Sequence, residues 1–163
     1  MDRKLCWPVV LAGAGLPFVA LSPLLRQPGF ELSLVLLLAL ALLLPLWSVG
    51  LARDSTRLGE VVLASLAGGL WLTLPTLATC VAASALFSPC DPWSQVRFPL
   101  ALLPAGVAIT AGVYSGVAFA VKRPGRALWG CYGLVLASAL ETAWPIVTGP
   151  QVFAYNPLAG FFP

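Results

Sequence analysis

Residues 32–52, LSLVLLLALALLLPLWSVGLA, carry no charged side chain and are bulky and apolar on every side. A helix on the surface of a soluble domain needs one polar face, which this stretch lacks. A run of roughly 20 apolar residues instead matches the hydrocarbon thickness of a bilayer. The rest of the chain repeats the theme. Of 163 residues, 60% are hydrophobic and only 9% are charged, where a soluble domain carries about a quarter charged residues. Mean hydropathy is +0.94. The length leaves room for several spans, but not for a large soluble domain as well.

Five spans follow from the apolar runs, at about residues 5–25, 32–52, 61–87, 100–121 and 127–148. The expected fold is an all-α polytopic transmembrane bundle comprising residues 1–148, with an aromatic and proline-rich tail at 149–163. The first run starts basic like a signal peptide but has no convincing small-x-small cleavage site, so an uncleaved span is expected. Pro8, Pro17 and Pro23 interrupt it, and a break near Pro17 is expected. The Leu-rich second span suits the lipid-facing flank of a bundle. In the third, Ala64, Ser65, Gly68 and Gly69 allow close helix approach, and a threonine hydroxyl is expected to satisfy the Trp71 carbonyl freed by Pro75. Asp54 or Ser55 is a candidate cap for this third helix. Residues 88–99, SPCDPWSQVRFP, read as the longest loop.

The fourth span carries Ala101, Ala105, Ala108, Gly112, Gly116 and Ala120 as one small-residue stripe, which places that helix centrally. In the fifth, a rotation of about 100° per residue puts Gly130, Gly133, Ala137, Glu141 and Trp144 on one face. Gly112, Gly116, Gly130 and Gly133 are the candidate helix-packing positions. Glu141 is the one acid that belongs to neither a loop nor a terminus, and on this reading it faces a neighbouring helix. A charged side chain inside a span costs at least a few kcal/mol and marks a partner or a cavity.

Orientation follows from the basic residues. Alternating spans put Arg3, Lys4, Arg53, Arg57, Lys122, Arg123 and Arg126 on one side, and Arg26 and Arg97 on the other. Seven against two places the N-terminus inside and the C-terminus outside. Glu141 then lies roughly 10 Å below the outer end of its helix, where Arg97 and Arg26 are the basic residues available to it. Three roles are open to the carboxyl: a hydrogen-bonded device that sets helix register, a proton- or cation-coupled site, or a contact to a partner subunit.

Much chemistry is excluded by residue type. The chain has no histidine, so His-based nucleophile systems and His-ligated metals are out. The cysteines, Cys6, Cys80, Cys90 and Cys131, form no CxxC pair; Cys80 is the one plausible disulfide partner for Cys90, but buried thiols are the commoner outcome. An aspartyl dyad, a phosphate-cradling glycine motif, a dinucleotide fingerprint and an internal repeat are all missing. No dense basic patch with interleaved aromatics points to nucleic acid. No cofactor or metal is expected, and the partners are the lipid bilayer and other membrane subunits or further copies of the chain.

The expected function is a non-catalytic accessory, assembly or anchoring subunit of a larger complex in a bacterial inner or plasma membrane. The ending GFFP, with no polar finish, fits an anchor whose native sequence continues outward. The alternative is a small proton- or cation-coupled transporter or channel using Glu141. An enzyme acting on lipid through Asp91, Arg97 and Glu141 is a third reading.

Overall fold

The computed structural model describes residues 3–22, 30–87, 92–148, 154–156 and 160–162. Five α-helices run in order: α1 (Arg3–Gly15), α2 (Phe30–Ala52), α3 (Leu58–Phe87), α4 (Pro92–Ala120) and α5 (Pro124–Thr148). A 3-10 segment, Leu16–Leu21, extends α1. Two strands, β1 (Ala154–Asn156) and β2 (Gly160–Phe162), pair antiparallel with Tyr155 opposite Phe161. This hairpin lies against α5 and α2.

Among the described residues, three helices are long and apolar enough to cross a membrane: Glu31–Ala52 of α2, Leu58–Leu86 of α3 and Pro99–Ala120 of α4. They mark the chain as a membrane protein. The first apolar run is a shorter helix, Trp7–Phe18. Its α-helical geometry ends at Gly15, next to Pro17, as the missing proline donor requires.

The Leu-rich helix is not the flank that its composition suggests. α2 touches each of the other four helices, and Leu32, Leu36, Leu37, Leu40 and Leu44 are buried along its length. Lipid tails are as apolar as leucine, so hydrophobicity alone does not sort a helix to the outside of a membrane bundle. Shape does the sorting. Leu37 lies over Gly106 on α4, and a Cβ built on Gly69 of α3 would lie 3.4 Å from Leu40 Cδ2. Two tryptophans use glycine hollows in the same way. Trp47 of α2 covers Gly68 of α3, and Trp71 of α3 covers Gly13 of α1.

Hydroxyl groups complete the interior. Thr73 Oγ1 donates to the Gly69 carbonyl (2.9 Å), and Thr110 Oγ1 to the Gly106 carbonyl. Thr76 donates to Leu72 and Thr79 to Pro75. These bonds return three or four residues along the helix, so no threonine of α3 is in register with the Trp71 carbonyl expected to receive one. Asp54 and Ser55 do not cap α3, which starts at Leu58. Their backbone N–H groups bond the Leu51 carbonyl and close α2 instead.

The stretch 92–99 is helix and not loop. Pro92 occupies the first position of α4, where a missing N–H costs nothing, and the helix runs on through Pro99 and Pro104. Trp93 and Arg97 therefore sit on its first turns. Cys80 is buried in α3; residues 88–91, with Cys90 and Asp91 and the turn expected there, lie outside the described residues.

Candidate functional site

The positions of α4 and α5 on the α2–α3 pair decide what the bundle presents outward. α4 is held by a buried hydroxyl node. Ser48 Oγ of α2 and Ser65 Oγ of α3 lie 2.9 Å apart, and Ser115 Oγ of α4 donates to Ser65 Oγ at 3.0 Å. Beside it, Trp47 Nε1 donates to the Ala64 carbonyl at 2.8 Å. The node turns Leu103, Val107, Ala111, Tyr114 and Ala118 inward. α4 thus packs through Gly106, Ala111 and Ala118 together with larger and hydroxyl side chains, and the 101–120 small-residue stripe is turned away. Ala101, Ala105, Ala108, Gly112 and Ala120 are exposed, and Gly116 is half-buried. A Cβ added at Gly112 or Gly116 would meet nothing within 4 Å. The stripe therefore does not centre the helix in the bundle.

α5 lies against α2 and α4. Ala127 and Cys131 are buried, Val135 and Ser138 are half-buried, and the Tyr132 hydroxyl donates to the Leu42 carbonyl of α2 at 2.9 Å. The stripe 127, 131, 135, 138 lies roughly a third of a turn from the stripe 130, 133, 137, 141. Consequently Gly130, Gly133, Ala137, Glu141 and Trp144 are all exposed. Gly133 has no neighbour within 4 Å, and Gly130 meets only Val117 Cγ1, at 3.2 Å. The expected helix-facing side of α5 is its outward side. The aromatic anchor Tyr132, not the glycines, chose the docked face.

Glu141 is seven residues from the end of α5, on that exposed face. Arg97, near the start of α4, is exposed too. Among the described residues no ion pair joins them. Gly112 on α4, and Gly133 and Glu141 on α5, are each exposed, and among the described residues they form no enclosed polar centre.

Sequence reasoning missed the serine node and the Leu37–Gly106 contact. The sequence singles out none of the three serines, because the same spans also carry Ser33, Thr73, Thr76, Thr79, Ser84 and Thr110. No protein-family model, no curated protein and no solved structure matches this chain.

Proposed function

We propose that the protein is a non-catalytic accessory, assembly or anchoring subunit of the cell membrane, docking through the outer face of α4 and α5. It crosses the bilayer five times with the N-terminus inside. The observation that carries the reading is the exposure of Glu141 and of the glycines and alanines around it. Small residues let a second helix approach closely in lipid, and a carboxyl on the same surface gives that contact a polar partner to satisfy. Seven basic residues on the inner side against two on the outer support the orientation.

Exposure of Glu141 also serves a second reading, a proton- or cation-coupled path lined by the same carboxyl from several copies of the chain. Within one chain, a small apolar cavity of about 40 Å³ between α3 and α4 and a larger cleft at the opposite end of the bundle both lie away from Glu141. Purification in mild detergent, with identification of what accompanies the chain, separates the readings. A different protein in fixed stoichiometry supports the subunit. A homo-oligomer whose ion flux is lost in Glu141→Gln supports the path. A solitary monomer contradicts both.

A further inference from the structure

At the end of the bundle where α2 closes and α5 begins, the loop 53–57 and the loop 121–123 enclose a cleft of about 540 Å³. That volume is in the range of small-ligand sites. Arg53 and Lys122 line it from the two loops, and Ser55 and Thr56 line it as well. No carboxylate is among the residues that line it. Pro124 forms one wall, so the N-terminus of the 25-residue helix α5 adds partial positive charge. The wall toward the apolar spans is Val49, which is buried, and Phe119, which is exposed. Because α2 and α4 are two of the membrane-spanning candidates and both end here, the cleft lies at a bilayer surface whichever way the chain is oriented.

We infer that this cleft seats the phosphate head of an anionic phospholipid. Arg53 and Lys122 neutralise the phosphate, the two hydroxyls donate to its oxygens, and the first acyl carbons follow Phe119 and Val49 into the membrane. Basic clefts between spans are suited to such headgroups, and each cation near the surface contributes roughly a five-fold gain in affinity. The inference is independent of any docking role for the α4–α5 face.

The test is thermal unfolding of the detergent-purified chain with added phosphatidylglycerol, phosphatidylcholine or inorganic phosphate. Phosphatidylglycerol is expected to raise the midpoint and phosphatidylcholine to leave it unchanged. Lys122→Gln weakens the response about five-fold, and Arg53→Gln with Lys122→Gln weakens it more than ten-fold, while Lys122→Arg preserves it. Arg126→Gln removes the same charge outside the cleft and keeps the full response. Lys122 is exposed in a loop, so its single variant tests the site even if the double variant does not fold. Equal responses to both lipids, or an equal loss in Arg126→Gln, would overturn the site. Inorganic phosphate acting as strongly as the lipid would overturn the lipid assignment in favour of a soluble phosphate.

Discussion

Ser115 of α4 donates a buried hydrogen bond to Ser65 of α3 across 3.0 Å, and Ser65 is also bonded to Ser48 of α2. One hydroxyl therefore joins three helices, including all three with the length and hydropathy of a membrane span. In lipid, where apolar contact with a neighbour gains little over contact with acyl chains, such bonds help fix which faces meet.

Ser65→Ala removes the shared partner and leaves two buried hydroxyls to find local carbonyls. Stability in micelles, measured by denaturant titration, is expected to fall by about 1 kcal/mol. A variant that unfolds with the wild type would show that the node does not contribute.

Glycines of the two classes are expected to respond differently to a methyl group. A Cβ at Gly68 would lie 2.7 Å from Trp47 Nε1, the same atom that donates to Ala64. Gly68→Ala displaces the indole, breaks that bond and costs about 1–3 kcal/mol. Gly112→Ala meets open space and leaves the unfolding transition of the single chain in place. Equal effects at the two positions would contradict the assignment of inward and outward faces.

Tyr114 is fully buried in α4 and its hydroxyl has no hydrogen-bond partner. Burying such a group costs about 1–3 kcal/mol. Tyr114→Phe keeps the ring and removes the polar atom, so it is expected to unfold at or above the wild-type midpoint. A clear loss of stability would mean that the hydroxyl is bonded in the membrane.

The proposed orientation places Cys90 on the outer side of the membrane, while Cys80 and Cys131 are buried. In a Cys6→Ser background, a membrane-impermeant thiol reagent is expected to label intact cells at Cys90. Labelling only after the cytosolic side is opened would invert the topology.

The existence of the helices was legible because length and hydropathy encode it directly. Pro17 marked the end of α1, and the runs at 32–52 and 61–87 needed only small adjustments at their ends. The arrangement of the helices was not legible. A helix with leucine on every side, such as α2, offers no periodic face, so its central place depends on the fit of Leu37 to Gly106 and Trp47 to Gly68. Residues 92–99 read as part of a loop, yet Pro92 and Pro99 are both accommodated in α4, one at its first position and one within its early turns. At Glu141 the face itself was readable from helical rotation, since Gly133 and Ala137 do share it. Its direction was not, because α5 docks through Ala127 and Cys131, roughly a third of a turn away, with the Tyr132 hydroxyl bonded to Leu42.

The docking proposal stands most directly on what touches the α4 stripe in the native membrane. A photo-cross-linking residue placed at Gly112, where nothing within 4 Å obstructs it, is compared with one at Leu63, a 68% exposed position on α3. The account predicts a protein adduct of one defined mass from position 112 and none from position 63. Lipid adducts alone at position 112, or the same protein adducts from both positions, would contradict it.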